Sequence, residues 1–214
     1  MPCAGDTGRM GFYANYIVPY LVNLAMGNRE LKPFRERVIG EAKGRVLEVG
    51  IGSGLNLALY PMQVREIVGL EPSPRLLTMA GEAARPDSMD VTFVEGSAEA
   101  IPLEANSIDT VVTTWTLCTI PDVARALLEM RRVLKPGGEL LFVEHGLAPE
   151  ENIRRWQNRL NPIWKRIAGG CHLNRPIEDL IEKAGFNITE VETGYIKGPK
   201  PMTFLYRGRA RGVE

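Results

Sequence analysis

The sequence is poor in the residues that usually mark metal centres and disulfide frameworks. Among 214 residues there are three cysteines and two histidines, and no CxxC or HxxxH pair occurs. So few cysteines, and an odd number of them, exclude a disulfide framework and favour a reducing compartment. The spacing along the chain therefore predicts no metal site.

The chain also lacks net charge and long apolar runs. Its 26 basic and 26 acidic residues give a formal charge of zero, which argues against a nucleic-acid partner and does not favour acidic substrates. The first 26 residues contain no uninterrupted apolar segment of the kind that a signal peptide has. The apolar stretch at 17–26 is broken by Pro19 and Asn23 and is too short to span a bilayer. We therefore expect a cytoplasmic protein that binds no nucleic acid.

What the chain does contain is enough apolar material for one core. Hydrophobic residues make up 44% of the sequence, and this length is sufficient for a single domain over 1–214. Residues 13–38 are predicted to be helical, with Tyr16, Tyr20, Leu24 and Leu31 on one face. From residue 45, short β-rich runs alternate with helical ones. The predicted strands are 46–50, 66–70, 91–95, 109–114 and 139–145, and the predicted helices are 54–60, 73–84 and 121–134, the last ended by Pro136 and Gly137.

This alternation predicts an α/β fold with a doubly wound, Rossmann-like, mostly parallel seven-stranded sheet. The last two strands, 187–196 and 201–210, are predicted to form an antiparallel C-terminal hairpin. The expected organisation has four parts: an N-terminal helical cover at 1–40, a cofactor-binding core at 44–146, an inserted helical lid at 150–175, and a C-terminal helix with the hairpin at 176–214.

The most informative motif is VLEVGIGSGLN, in which Gly50, Gly52 and Gly54 follow a strand. Bare backbone at this position lets a ligand approach the carboxyl edge of the sheet. A GxGxG motif alone also begins dinucleotide sites, so an NAD-dependent reductase is an alternative. The Glu48 carboxylate, expected to face the crevice, suits an ammonium and a sulfonium better than a pyrophosphate. Glu71 ends the second strand, where its carboxylate can accept hydrogen bonds from both ribose hydroxyls.

ExGxGxG, the Glu71-Pro72-Ser73 turn, EGSAEAIPLEANSIDTVVTT and EMRRVLKPGG together resemble class I S-adenosylmethionine-dependent methyltransferases. Within that class, residues 44–146 resemble the branch that includes quinone-biosynthesis C-methyltransferases. The resemblance implies S-adenosylmethionine as the cofactor and S-adenosylhomocysteine as the product. Many relatives have an aspartate where Ser97 stands. The implied cofactor-binding residues are Glu48, Gly50, Gly52, Ser53, Gly54, Glu71, Pro72, Ser73, Ser97, Ala98, Thr113 and Thr114.

Three shorter segments resemble alkyl-thiol S-methyltransferases and imply a thiol as the methyl acceptor. They are TLCTI, the strand-ending FxEH, and the W…PxW…GCxLxR segment of the lid. The animal members carry an N-terminal membrane anchor that we do not expect here, and this chain has Glu71 at the ribose position rather than aspartate. We expect the acceptor to bind at the carboxyl edge of the sheet and under the lid, with His145 as the candidate catalytic base. The candidate substrate-binding residues are Trp115, Cys118, Trp164, Cys171 and His172.

Other interpretations of these residues stay open. Cys118 and Cys171 can be small buried hydrophobic residues, and His145 can fasten the strand to the lid. A zinc site formed by these three residues with His172 has suitable ligand types but lacks the usual spacing, so no metal is expected.

The lid itself carries an apolar stripe surrounded by basic residues. Core packing is the favoured interpretation of this stripe, ahead of contact with a membrane surface or a lipid-like substrate, and Asn161-Pro162 is expected to interrupt the helix. Phospholipid N-methylation, quinone-precursor C-methylation and a non-catalytic nucleotide-binding role remain alternatives. The stripe consists of Trp156, Leu160, Ile163, Trp164 and Ile167.

Overall fold

The structure is a computed structural model and describes residues 18–213. Its seven strands are β1 Arg45–Val49, β2 Glu66–Glu71, β3 Asp90–Glu95, β4 Ile108–Thr114, β5 Leu134–His145, β6 Phe186–Tyr195 and β7 Phe204–Gly212. Its helices are α1 Val18–Met26, α2 Lys32–Ile39, α3 Pro74–Glu82, α4 Val123–Val133, α5 Glu151–Ile167, α6 Ile177–Lys183 and the short α7 Lys200–Thr203.

The strands form one sheet in the order β3-β2-β1-β4-β5-β7-β6. The first five are parallel to one another, whereas β7 lies antiparallel between β5 and β6. This arrangement confirms the predicted doubly wound α/β fold and its antiparallel C-terminal pair. The strand order reverses between β1 and β4, so a crevice opens at their carboxyl ends.

Helices cover both faces of the sheet, which is why the central strands bury apolar side chains on both faces. On one face Leu47 and Val49 pack with Leu127 and Met130 of α4. On the other face Val46 packs in a cluster with Leu57 and residues of α2. The polar side chains that are buried in these strands, such as Glu48 and Thr113, therefore call for an explanation.

The N-terminal segment forms two helices rather than one. α1 ends at Met26 and α2 begins at Lys32, and the side chains of Tyr20 and Leu24 are exposed instead of lying on a packed face. The remainder of the prediction, including Tyr16, lies outside the described residues.

Two further local predictions need correction. The predicted helix at 54–60 is only a 3-10 turn, Leu57–Leu59, because Gly54 has a left-handed φ of 78° that a helix does not allow. α4 ends at Val133, ahead of KPGG, as predicted. The strand predicted at 139–145 instead begins at the very next residue, Leu134, and its pairing with β4 shifts register there.

The lid helix α5 runs without interruption through Pro162, contrary to the prediction. Pro162 and Asn158 are both exposed, so the Asn158 carbonyl left without its helical partner can bond to water instead. Within residues 18–213, no helix combines the length and the apolar character needed to cross a bilayer.

The prediction that the lid stripe packs in the core is wrong for three of its five members. Trp156, Ile163 and Ile167 are 54%, 63% and 55% exposed. Leu160 and Trp164 are half-buried, and the residues that α5 does bury are Ile153 and Gln157.

Candidate active site

A cavity of about 360 Å³ lies at the carboxyl ends of β1, β2 and β4. Both its position, at the point where the strand order reverses, and its size are typical of ligand sites in open α/β sheets. Ten of the predicted site residues line it, namely Gly50, Gly52, Ser53, Glu71, Pro72, Ser73, Ser97, Ala98, Thr114 and Trp115.

The glycine loop presents backbone to this cavity because side chains do not fit. Gly50 has a φ of 72°, and a Cβ there would lie 2.5 Å from the Thr116 side chain. Gly54 does not line the cavity. A Cβ on Gly54 would lie 2.8 Å from the Cβ of Ala83, so this glycine permits the loop to pack on the end of α3.

Glu71 lies where the sequence places it, at the end of β2 and on the cavity wall. Its two oxygens accept hydrogen bonds from the backbone N–H groups of Gly52, at 3.2 Å, and Ser73, at 3.1 Å. Burial raises the pKa of this carboxyl group, and the two N–H donors act against that rise. Each carboxylate oxygen can accept a further hydrogen bond, so the side chain is oriented and still able to bind two hydroxyls.

Glu48 does not face the crevice, which corrects the sequence-based expectation. Its carboxylate is buried beneath the loop, where it accepts hydrogen bonds from Asn56 Nδ2 at 2.7 Å and Tyr60 Oη at 2.8 Å. Burial raises the pKa of Glu48 to about 7, although both hydrogen bonds lower it. Asn56 lines the cavity and also donates to Thr114 Oγ1 at 3.0 Å. Glu48 therefore positions a cavity residue without being one.

Thr113 is a second correction. Successive side chains of a strand point to opposite faces, so only Thr114 of the pair reaches the cavity, and Thr113 is fully buried behind it.

The N-terminal helices supply wall residues that no sequence motif indicated. Asn23 and Met26 of α1 line the cavity, and Ser53 Oγ donates to Asn23 Oδ1 at 2.5 Å. The guanidinium of Arg35 lies 5.0 Å from the Trp115 ring centroid and donates to the Met26 carbonyl at 2.7 Å. Arg35 also lines the cavity, and its charge suits the carboxylate of an amino-acid ligand. The helical pattern of this segment had not distinguished Arg35 from surface arginines.

On the opposite side, the wall is made by the loop after β4 and by the end of α5. Thr119, Ile120 and Pro121 line it together with Ala168 and Gly169. Arg175 fixes this loop, since its guanidinium donates to the carbonyls of Leu117 and, at 2.6 Å, Ile120.

Directly behind this wall the structure gathers two cysteines and a histidine. His145 Nε2 lies 2.9 Å from Cys171 Sγ, which in turn lies 3.5 Å from Cys118 Sγ. His172 points elsewhere, with Nδ1 3.1 Å from the Cys118 carbonyl. The described residues that line the cavity do not include Cys118, His145, Cys171, His172 or Trp164. Of the predicted acceptor residues, Trp115 alone lines the cavity, whereas Cys118 and Cys171 meet His145 one layer behind it.

This placement argues against His145 as the base that deprotonates an acceptor. Burial lowers the pKa of His145 to about 4. Because a thiol has a pKa of about 8.5, moving its proton to this imidazole would cost about 6 kcal/mol. The neighbouring Glu144 is fully buried, accepts a hydrogen bond from Thr116 N at 3.0 Å, and has its pKa raised by burial to about 7.

The cysteines have opposite tendencies. The contact between the two sulfurs and burial together raise the pKa of Cys118. The same contact lowers the pKa of Cys171 in spite of its burial.

The sheet has seven strands, with one antiparallel strand next to its edge, a glycine loop at the switch point and Glu71 at the end of β2. This combination is typical of α/β folds that bind a nucleoside. The methyltransferase domain family matches residues 47–142, the segment that supplies most of the cavity wall. The chain is 31% identical to the thiol S-methyltransferase TMT1B of Homo sapiens over 201 residues, which cover 87% of this chain and 80% of the human protein.

A second relative has the same printed activity, and a solved structure shares the fold. The thiol S-methyltransferase TMT1B of Rattus norvegicus is 36% identical over 151 residues, which span 69% of this chain and 62% of the rat protein. A crystal structure from Thermotoga maritima, described as an S-adenosylmethionine-dependent methyltransferase and possible histamine N-methyltransferase, superposes with a TM-score of 0.67. It has 23% identity, covers 95% of this chain and 99% of its own, and thus supports the fold. The chain belongs to the class I S-adenosylmethionine-dependent methyltransferases and uses S-adenosylmethionine as its cofactor.

Proposed function

We propose that this methyltransferase transfers the methyl group of S-adenosylmethionine to the sulfur of a small hydrophobic thiol. The observation that carries this proposal is the convergence of three sequence-distant segments beside the cavity, those containing Cys118, Glu144-His145 and Cys171 to Arg175. These are the segments that resemble alkyl-thiol S-methyltransferases, and the relatives named above are thiol S-methyltransferases.

The cavity wall supports the following assignment of cofactor-binding residues. Glu71 binds the two ribose hydroxyls, and the backbone of Gly50, Gly52 and Ser53 lies against the methionine part. Ser97 and Ala98 flank the adenine. The charge of Arg35 complements the cofactor carboxylate, with Asn23 closing the same end from α1.

The chemistry asks little of the protein, because the sulfonium already activates the methyl group. The acceptor thiolate attacks the methyl carbon, the S–CH₃ bond breaks, and its electron pair stays on the sulfur of S-adenosylhomocysteine. The protein must hold the acceptor in line with that bond and exclude water. Trp115, Ile120 and Pro121 provide an apolar wall for such an acceptor. A thiol needs only partial deprotonation to react.

An acceptor panel tests the proposal. Purified enzyme and S-adenosylmethionine are incubated with alkyl thiols, sulfide, phenols, quinone precursors or amine lipids, and both S-adenosylhomocysteine and the methylated product are quantified. Alkyl thiols should give the highest kcat/KM, and the cofactor-site variant Glu71→Ala should be slow with every acceptor. A preference for phenols, quinone precursors or amines would contradict the proposal.

The exposed stripe of α5 favours one second candidate, N-methylation of an amine lipid. Trp156, Ile163 and Ile167 are exposed beside Arg159 and Arg166, a combination that suits the surface of an anionic membrane. In the same panel, turnover of a phosphatidylethanolamine in vesicles that exceeds thiol turnover would favour this candidate.

A further inference from the structure

We propose that Cys118, His145 and Cys171 form a binding site for a thiophilic metal ion, zinc first of all, whose remaining coordination position takes a thiol ligand. That the open position takes a thiol rests on the proposed function, whereas the metal site itself rests on the geometry of the three side chains. The spacing of these residues along the chain had predicted no metal, because they are 26 to 53 residues apart and meet only in the folded protein.

The distances match a tetrahedral zinc site. Zinc–sulfur bonds of about 2.3 Å and zinc–nitrogen bonds of about 2.0 Å place two sulfur ligands about 3.8 Å apart, and a sulfur and a nitrogen about 3.5 Å apart. Here Sγ to Sγ is 3.5 Å and Nε2 to the Cys171 Sγ is 2.9 Å. All three donor atoms lie within 4.8 Å of one another. Side-chain movements of less than about 1 Å would complete the geometry.

The donor set is selective. Two thiolates and one imidazole are the ligands that zinc and Cu(I) prefer over calcium, magnesium or manganese. Cys118 and His145 are 2% and 8% exposed, so both are withdrawn from bulk water. His145 Nδ1 has no hydrogen-bond partner among the described residues, which leaves the interaction of Nε2 with the cysteine as the polar contact of this ring.

Rigid neighbours hold the three ligands in place. Cys118 lies in the loop that Arg175 fixes, and its carbonyl accepts a hydrogen bond from His172 N at 2.8 Å. Cys171 follows α5, whose Gln157 and Asn161 side chains bond to the backbone of Leu173 at 2.9 Å each. The site is thus built from a strand end and two braced loops.

We place the fourth position on the side of the site that adjoins the cavity wall. Thr119 and Gly169, one and two residues from the two cysteines, line the cavity, and Cys171 is the partly exposed member of the three. An incoming thiol that binds here releases its proton to solvent as the metal–sulfur bond forms, since a thiol that coordinates zinc is deprotonated. The resulting thiolate attacks the methyl carbon, the S–CH₃ bond of the cofactor breaks toward the cofactor sulfur, and the neutral thioether, a weaker ligand, departs.

Metal content is measured first, on the full chain purified under reducing conditions with zinc present and then desalted. We expect about one zinc per chain in the wild type and a loss of most of it in Cys118→Ser, Cys171→Ser and His145→Ala. The chain offers matched controls, Cys3→Ser for the thiols and His172→Ala for the imidazole, which should retain zinc. Calorimetric binding of S-adenosylhomocysteine by every variant shows that each one is folded.

Cobalt substitution then tests the open position without turnover. The cobalt-loaded protein should show sulfur-to-metal charge-transfer absorption, and an added alkyl thiol should raise it by about one half as the thiolate count goes from two to three. An unchanged absorption band would overturn the proposal that a thiol binds at the open position of the metal.

Two results would overturn the metal site itself. One is a folded wild type that retains no zinc, including the case in which Cys118 and Cys171 are found joined as a disulfide. The other is equal zinc retention by the three ligand variants. Failure of the proposed function has a different signature, which is zinc and the cobalt spectrum as expected but no methylation of any thiol.

Discussion

Glu71 and Glu48 are both buried carboxylates near the glycine loop, and their partners give them different roles. Glu71 accepts two backbone N–H groups and lines the cavity, so its remaining lone pairs can face a ligand. Both carboxylate oxygens of Glu48 accept hydrogen bonds below the loop, from Asn56 and from Tyr60. Substitution should therefore affect cofactor affinity in the first case and pH-dependent stability in the second.

Glu71→Ala should weaken the binding of S-adenosylhomocysteine by about 10- to 100-fold, because charge-assisted hydrogen bonds to the ribose contribute about 1.5–3 kcal/mol. Isothermal titration calorimetry measures this directly. The exposed Glu104 provides a matched control, and Glu104→Ala should bind as the wild type does. Equal affinity of Glu71→Ala and wild type would show that this carboxylate does not hold the cofactor.

Glu48→Gln should gain stability relative to the wild type as the pH rises from about 5 to 8. In the wild type the folded-state pKa of Glu48, about 7, exceeds the unfolded value of about 4.3. Its contribution is therefore full below the unfolded pKa and is lost as the pH rises through the folded pKa. The difference between the two proteins should change by something on the order of 3 kcal/mol over that range. Urea unfolding at several pH values measures it, and a difference that does not vary with pH would refute the assignment.

At the scale of residues, sequence reasoning located Glu71 and the glycine loop because their backbone positions carry the chemistry. It misplaced Glu48 and Thr113 because a parallel strand is apolar on both faces, so its pattern does not reveal which side chains point to the ligand edge. It brought His145 to the correct strand end, but the burial that makes this imidazole a poor base comes from packing against the lid.

Among the structural elements, α5 is hydrogen-bonded to the segment after β5 and to the segment after its own end through the buried side chain of Gln157. Gln157 Oε1 accepts the N–H of Ala148 at 3.0 Å, and its Nε2 lies 2.9 Å from each of the carbonyls of Gly146 and Leu173. These backbone groups belong to the segments that flank His145 and Cys171. Gln157 thus couples the lid to the acceptor side of the site.

Gln157→Ala should lower the free energy of unfolding by about 2–4 kcal/mol, because it leaves several buried backbone groups without partners. Chemical denaturation followed by circular dichroism gives the value. Gln63, which is exposed, supplies the control, and Gln63→Ala should change stability by less than about 0.5 kcal/mol. Similar values for the two variants would mean that α5 is not anchored in this way.

The exposed face of α5 gives a contrasting prediction. Trp156→Ala should change the free energy of unfolding by less than about 1 kcal/mol, whereas Ile153→Ala on the buried face should cost about 2–4 kcal/mol. Both variants can be measured in the same denaturation experiment. A larger cost for Trp156 would restore the core-packing interpretation of the stripe.

The elements themselves were largely predictable. The observed strands β1 to β4 agree with the apolar runs to within a residue or two, because continuous β-branched and apolar residues between turn signals have few other uses. The stripe on α5 was recognisable as amphipathic, but periodicity does not say what an apolar face contacts. Pro162 misled for a similar reason, since a proline on the exposed side of a helix frees a carbonyl that water can satisfy.

On the scale of the whole molecule, the carboxyl edge of the sheet brings together a cofactor cavity and a thiol–imidazole cluster that share one loop. Residues 115–121 provide the cavity wall on one side and Cys118 on the other. Sequence reasoning found the sheet, its strand directions and the family resemblance. The layering of cavity, wall and cluster depends on how α5 and the loop after β4 pack, and no local pattern encodes that.

The most direct measurement follows the methyl group itself. The enzyme is incubated with S-adenosylmethionine labelled in its methyl group and one alkyl thiol as the sole acceptor, and products are identified by mass spectrometry. The account predicts a labelled methyl thioether formed in equal amount with S-adenosylhomocysteine, and a loss of both in Glu71→Ala. Labelled methyl on oxygen, nitrogen or carbon of another acceptor, with no thioether formed from any thiol, would contradict it.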